Sequence, residues 1–262
     1  MLHGTSSITL KTVYKEIHPP TPLPCLLTSL MFMQMQGNCV TFERRKKHAF
    51  IEQLKQRVFC HLSFIMCDAE ERVEPKPIRL VAAVSRNMGI GRKGDLPWNL
   101  PNEFKYFIEK ITAVLEPGKK NLLIWGHKSF EPFAGSLFPL PNCIIVLLSR
   151  TLSSVPEHVH SVCRNMTDAI KMASTPPLSE KLETIWVLGG AEPYAEATKH
   201  PWCDQIHITD IMEDFDCDTF FPEFDRDVFK LAEKFPGIPS GIQEENGIKY
   251  AFQVYQRDAM FT

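Results

Sequence analysis

The sequence predicts an α/β domain over residues 78–262, a mostly parallel sheet with helices on both faces, preceded by an extension of different texture over residues 1–77. Three observations predict it. Apolar runs recur at Leu80–Val84, Leu122–Trp125, Ile144–Leu148 and Ile185–Leu188, and runs this continuous suit strands covered on both faces. Segments with helical spacing lie between the later runs, which makes those connections crossovers instead of hairpins. Ile248, Tyr250, Phe252 and Val254 alternate with polar or small residues, the pattern of a half-exposed antiparallel strand ending the chain.

Composition narrows the class. The 262 residues are 44% hydrophobic and 23% charged, within the globular range and outside that of collagen-like, mucin-like or wholly disordered chains. The net charge of -2 gives no chain-wide reason for a DNA or membrane partner. It hides an asymmetry, with a net of +3 over residues 1–77 and -5 over the remainder. The eight cysteines form no Cys-x-x-Cys pair, so neither a zinc site nor a disulfide framework is suggested and reduced thiols are expected. Leu23–Met35 is broken by Pro24, Thr28, Ser29 and Gln34, too short and too polar for a span of roughly 20 apolar residues.

Residues 1–77 show no sustained period. Pro19, Pro20, Pro22 and Pro24 crowd the start, Phe50–Ile65 suits a short amphipathic helix, and Glu70–Pro77 reads as a linker. The extension is expected to be poorly ordered or weakly helical. Its basic residues cluster at Arg44–Lys47 instead of scattering as in a transit peptide, so the expected location is cytoplasmic, with mitochondrial import the alternative.

Along the domain, the first strand is followed by Gly89-Ile90-Gly91-Arg92-Lys93-Gly94, which matches G-x-G-x-x-G. A Rossmann fingerprint needs its glycines at the strand end and a helix directly after them. Here Ser85–Met88 intervene and Asp95-Leu96-Pro97-Trp98 follows, so the segment reads as a mobile loop with an apolar tip. A helix comes next. Phe104, Phe107, Ile108, Ile111, Val114 and Leu115 fall on one stripe, with Pro101 before it and Pro117-Gly118 after it.

Glu103 sits beside that stripe. A carboxylate held against aromatic rings loses hydration and gains proton affinity, which suits proton relay near neutral pH. The alternative is a first-turn acid complementing the helix dipole. Further on, Ile185–Gly190 followed by Ala191–Thr198 reads as strand, Gly-Gly turn and helix, a shape that suits a pyrophosphate. Gly126-His127-Lys128-Ser129, Ser149-Arg150 and Arg164 follow other apolar runs. Ligands of open sheets sit beyond the carboxyl ends of strands, so these groups could gather around one anion, which would favour NADPH over NADH; the alternative is scattered solvated charges. His158 and His160 alternate in an expected strand with no third ligand spaced to join them in a metal site.

Taken in order, Ala83–Gly91, Gly94–Trp98, Asn102-Glu103-Phe104, Val187–Gly190 with Tyr194, and Asp218–Pro222 closely resemble the dihydrofolate reductase family, over about residues 78–257. The resemblance implies a sheet of about eight strands, a monomer, and NADPH-dependent reduction of 7,8-dihydrofolate or a related dihydropterin. It implies a catalytic group of Glu103, Trp98, Leu96 and Thr209, in which Glu103 would bind the pterin 2-amino group and N3 while Trp98 and Thr209 order a water. Val81, Phe104, Phe107, Leu188 and Tyr194 would bind substrate. Ala83, Gly89, Ile90, Gly91, Gly94, Asp95, Gly126, His127, Lys128, Ser129, Ser149, Arg150, Arg164, Gly189, Gly190, Ala191, Glu192 and Tyr194 would hold the cofactor, with Ile90–Leu96 closing over the nicotinamide.

The chain departs from the family in one region. Cys143 stands where the family holds the folate glutamate tail with an arginine, Leu137 stands where it has an asparagine, and Pro132-Phe133-Ala134 differs too. His127 replaces a basic residue near the cofactor phosphate. Residues 129–149 contain no Lys or Arg. Losing one partner of a desolvated charge pair costs about 2 to 5 kcal/mol, so tail affinity is expected to fall roughly 30-fold to several thousand-fold. The alternative is a reductase-fold paralogue that binds NADPH, a pterin or, weakly, RNA and turns over little.

Overall fold

The computed structural model describes residues 75–258 apart from residue 136. The extension expected over residues 1–77 lies outside the described residues, except for Pro75, Lys76 and Pro77, which lead into the first strand.

Eleven strands and four α-helices follow. The strands are β1 (Ile78–Ser85), β2 (Gly89–Gly91), β3 (Lys120–Gly126), β4 (Cys143–Leu148), β5 (Ser161–Cys163), β6 (Leu182–Val187), β7 (Cys203–Ile211), β8 (Thr219–Phe220), β9 (Phe229–Leu231), β10 (Gln243–Glu245) and β11 (Ile248–Arg257). The helices are α1 (Pro101–Thr112), α2 (His127–Phe130), α3 (Met166–Ala173) and α4 (Ala191–Lys199). The main sheet runs β10-β11-β7-β1-β6-β3-β4-β5, with β9 added to β11. Strands β7, β1, β6, β3, β4 and β5 are parallel, and β11 joins β7 antiparallel. A separate ribbon pairs β2 with β8. The predicted architecture of about eight strands with an antiparallel final strand is the one observed.

The continuous apolar runs follow from two-sided burial. Ile78, Leu80, Ala82 and Val84 of β1 share one core with Ala169 and Ile170 of α3 and with Tyr194 and Ala197 of α4. Val81, one residue out of phase, joins Ile111 of α1, Phe130 of α2, Trp125 and Trp186 on the opposite face. Alternate residues of a strand point to opposite faces, so helices on both sides demand apolar side chains at every position.

Three elements differ from expectation. Helix α1 stops at Thr112 instead of continuing through Leu115, which is 91% exposed. The side-chain amide of Asn121 donates to the carbonyls of Ile111 and Ala113, and the Glu183 carboxylate accepts from the backbone N–H groups of Leu115 and Glu116. Those side-chain partners satisfy the helix end more favourably than another turn would. His158 and His160 precede β5 instead of lying in a strand, and His158 takes a left-handed φ of 63°. Strand β7 was not apparent as an apolar run because Asp204, Gln205, His207, Thr209 and Asp210 interrupt it. Burial there pushes the His207 imidazole down to about 3, which keeps it neutral inside the sheet. Among the described residues no helix is long and apolar enough to cross a membrane, and no group of His, Cys, Asp and Glu is arranged to hold a metal ion.

Candidate active site

The parallel strands end level with one another. Gly126 of β3 is in register with Leu148 of β4, and Leu148 with Cys163 of β5, so His127-Lys128, Ser149-Arg150 and Arg164 all emerge at one edge. Val187 of β6 pairs with Ile124 of β3 and Ala83 of β1 with Thr209 of β7, which brings Leu188-Gly189-Gly190 and the end of β1 to the same edge. A cleft of about 800 Å³, counting its open mouth, lies there.

Fifteen of the sequence-predicted site residues line it. Val81, Ala83, Glu103, Phe104, Phe107, Leu188 and Tyr194 form the inner part, and Ile90, Gly91, Gly94, Asp95, Leu96, Ser129, Gly189 and Gly190 form the rest. Ala82, Trp125, Phe133 and Thr219, to which the sequence assigned no site role, also line the cleft. For Trp125 and Phe133 the signal available was the density of aromatic residues between 125 and 138.

Glu103 is the acidic group of the floor. Pro101 starts α1, which places Glu103 in its first turn, yet the carboxylate is only 6% exposed and accepts a hydrogen bond from Thr209 Oγ1 at 2.7 Å. Burial raises its pKa to about 7 against the lowering effect of the Thr209 hydroxyl, and the Glu245 carboxylate adds a smaller upward push. Desolvation thus outweighs any benefit from the helix start, and the side chain can hold a proton at neutral pH. Thr209 and Trp98 do not line the cleft but lie behind it. Trp98 is buried edge-on to Phe215 at 5.3 Å, and its Nε1 donor has no protein acceptor. Tyr194 reaches across from α4 to donate its hydroxyl to the Val81 carbonyl at 2.8 Å.

The loop after β1 is pinned at several points. Lys93 and Gly94 both take positive φ in a tight turn closed by paired Arg92 and Asp95 backbone bonds. Asp218 accepts from the Lys93 N–H at 2.8 Å, and Phe221 donates to the Met88 carbonyl. Gly89 lies beneath the loop, where a Cβ would come within 2.3 Å of Cys217 Sγ. Gly89 and Gly91 pair with β8 and Gly94 supplies a positive φ to the turn, a use of glycine different from that of a Rossmann fingerprint.

The residues expected to hold an anionic cofactor fall into two sets. Gly126, Gly189, Gly190 and Ser129 form a tight elbow. A Cβ on Gly126 would lie 3.1 Å from Gly190 N, one on Gly190 would lie 2.9 Å from Ser129 Oγ, and Gly189 has a φ of +139°. Ala191 and Glu192 open α4 directly after it. The elbow leaves room for a ligand to approach the main chain beside a helix start, and those features fit a dinucleotide pyrophosphate. The outer set is looser. Lys128 and Arg164 are exposed, Arg150 pairs with Glu192 at 3.9 Å, His127 pairs with Glu131 at 3.2 Å, and the Ser149 hydroxyl accepts from the Leu152 N–H. These residues therefore sit at the expected edge, and His127, Arg150 and Ser149 have protein partners there.

A family model described as "Dihydrofolate reductase" matches residues 77–257. The chain belongs to the dihydrofolate reductase family. It is 43% identical to the dihydrofolate reductase of Rattus norvegicus over 70% of this chain and 98% of that protein. It is 39% identical to the viral dihydrofolate reductase of Saimiriine herpesvirus 2 over 69% of this chain and 84% of that protein. Among solved structures, the Schistosoma mansoni dihydrofolate reductase is 33% identical with a TM-score of 0.63, covering 71% of this chain and all of that one. The Enterococcus faecalis dihydrofolate reductase complexed with NADP(H) is 30% identical with a TM-score of 0.55, covering 70% of this chain and 96% of that one. Family membership thus rests on the same segment that builds the sheet and the cleft.

Proposed function

We propose that this chain catalyses NADPH-dependent reduction of the C6–N5 double bond of 7,8-dihydrofolate, giving 5,6,7,8-tetrahydrofolate. One observation carries the reading: a carboxyl buried to 6% exposure, with its pKa pushed to about 7, shares a cleft with a glycine elbow built for a pyrophosphate.

The bound nicotinamide would supply the hydride that C6 receives. Everything else falls to the protein. An isolated pterin imine is a weak base, so N5 must receive a proton in a site that excludes bulk water. Glu103, as the carboxylate, accepts from the 2-amino group and N3–H of the pterin, and with its pKa raised to about 7 it takes up at neutral pH the proton destined for N5. Thr209, bonded to Glu103, and Trp98, with its unpartnered Nε1, order the water that carries it. Val81 and Leu188 offer backbone carbonyls to the pterin, Phe104 and Phe107 pack on its rings, and Tyr194 positions the Val81 carbonyl. Ile90–Leu96 cover the reacting face from the loop side. Gly126, Gly189, Gly190, Ser129 and Ala191 hold the cofactor pyrophosphate, while Lys128, Arg150 and Arg164 supply positive charge farther out.

The test is NADPH oxidation followed by absorbance with dihydrofolate or a tail-free dihydropterin, using Glu103→Ala as the blank. Oxidation that depends on the pterin and disappears in the blank is expected. No pterin-dependent oxidation with either compound refutes the reading. A second expectation concerns Thr209→Val. It removes the donor that favours the charged carboxylate, so the alkaline limb of kcat/KM should move to higher pH, at a stability cost of about 1 kcal/mol. A limb that moves to lower pH would contradict the role given to this hydroxyl.

A further inference from the structure

Four aromatic rings at the cleft form a closed circuit. Phe104 stacks on Phe133 with centroids 5.7 Å apart and planes 14° apart, Phe133 stacks on Trp125 at 5.4 Å, Trp125 meets Phe107 edge-on at 6.5 Å, and Phe107 returns to Phe104 at 5.6 Å. Phe104 and Phe107 come from α1, whereas Trp125 and Phe133 come from β3 and the turn after α2. The circuit therefore bridges the two sides of the cleft beyond Glu103.

We infer that Phe133, stacked on Phe104, closes the path of the pterin's C6 substituent, so that the preferred substrate is a 7,8-dihydropterin whose C6 group is short and uncharged. This rests on the function proposed above. With Glu103 gripping the pyrimidine edge, C6 lies at the far edge of the bicycle. The Gly189 and Ile90 side belongs to the hydride donor, which leaves the gap between α1 and the segment after α2 for the substituent. An aminobenzoyl ring entering there must separate rings already in contact and break at least two pairs of the circuit. Each such pair is worth about 2- to 10-fold in an equilibrium.

Charge points the same way. The charged residues that line the cleft are Asp95 and Glu103, both acidic. Beyond the circuit, Leu137, Phe138, Leu140 and Cys143 pack on the same apolar core, and burial pushes the Cys143 thiol up to about 12, so it stays neutral. Of the cations around it, Lys105 pairs with Glu109 at 3.8 Å, Lys110 lies over the Tyr106 ring at 5.4 Å, and Lys120 acts on Cys143 more weakly than burial does. A dicarboxylate tail would meet the rings of the circuit and no cation among the residues that line the cleft.

Three substrates separate size from charge: 6-methyl-7,8-dihydropterin, 7,8-dihydropteroate, which has the aminobenzoyl ring without glutamate, and 7,8-dihydrofolate. Steady-state kinetics with NADPH are run on the full chain and on Phe133→Ala and Phe133→Leu. Calorimetric titration of the full chain with the matching oxidised pterins reads binding without turnover. The expected result is that dihydropteroate already loses at least about tenfold in kcat/KM against the methyl compound, with the same order in affinity. Both Phe133 variants should shift the dihydropteroate-to-methyl ratio at least tenfold toward dihydropteroate. Equal affinity for the methylpterin and pteroate overturns the inference, whether or not folate binds weakly. So does a ratio unmoved by both variants. If none of the three is reduced, the proposed function fails, and the binding order still decides the role of the circuit.

Discussion

Glu103→Gln should lower kcat/KM by about 10²- to 10⁴-fold, the range a positioned proton donor contributes. Glutamine keeps the shape and can accept the Thr209 hydrogen bond, but it has no proton to give. In the unaltered protein kcat/KM should be flat at low pH and fall about tenfold per unit above about 7, where burial has placed the Glu103 pKa. The variant should lack that limb. The same substitution acts on stability in the opposite direction. Because the folded pKa is raised from 4.5 to about 7, the folded protein holds this proton more tightly than the unfolded chain does. The resulting stabilisation is fully present below about 4.5 and is lost as pH rises through about 7. A shift of that size corresponds to roughly 3 kcal/mol, so Glu103→Gln should melt higher than the parent at pH 8 and similarly at pH 4. A variant both less active and less stable at pH 8 would show that Glu103 serves the fold as an anion instead of serving chemistry as an acid.

Gly126→Ala should raise the Kd for NADPH at least tenfold. The added Cβ would sit 3.1 Å from Gly190 N and 3.3 Å from Gly189 O, both main-chain atoms that cannot rotate away. The Gly126 N–H already donates to the Gly189 carbonyl at 2.7 Å, so the ends of β3 and β6 must part for the methyl group to fit. That movement shifts the N–H groups at the start of α4, the ones assigned to the pyrophosphate. Overpacking of this kind costs about 1–3 kcal/mol, and each kcal/mol should lower Tm by about 2–4 °C in a domain of this size. Nucleotide fluorescence titration and thermal denaturation read the two effects. Parental values in both would show that the elbow does not govern cofactor affinity.

The sheet was legible because two-sided burial leaves an unambiguous mark: Leu80–Val84, Leu122–Trp125 and Ile144–Leu148 all lie within observed strands. Strand β7 was not, since one of its two buried faces carries Thr209 and His207, whose burial depends on partners distant in sequence, Glu103 for one and Trp186 for the other. The end of α1 was misread for a similar reason. The apolar stripe continues to Leu115, but Asn121 and Glu183 compete for the backbone there, and no local pattern announces them. Within the site, the spacing around Glu103 left two roles open, and only the three-dimensional burial of the carboxylate favours a raised pKa over a helix-dipole role. The aromatic circuit was out of reach because stacking between Phe104 and Phe133 joins segments that sequence periodicity treats separately.

The most direct test follows the Glu103 carboxyl itself. With glutamate labelled at the side-chain carboxyl carbon, its NMR shift is recorded against pH in the full chain, and Glu103→Gln identifies the resonance. A single titration with its midpoint near 7 is expected. A carboxyl that titrates near 4.5, as an exposed glutamate does, would mean that Glu103 carries no proton at neutral pH and would contradict the mechanism.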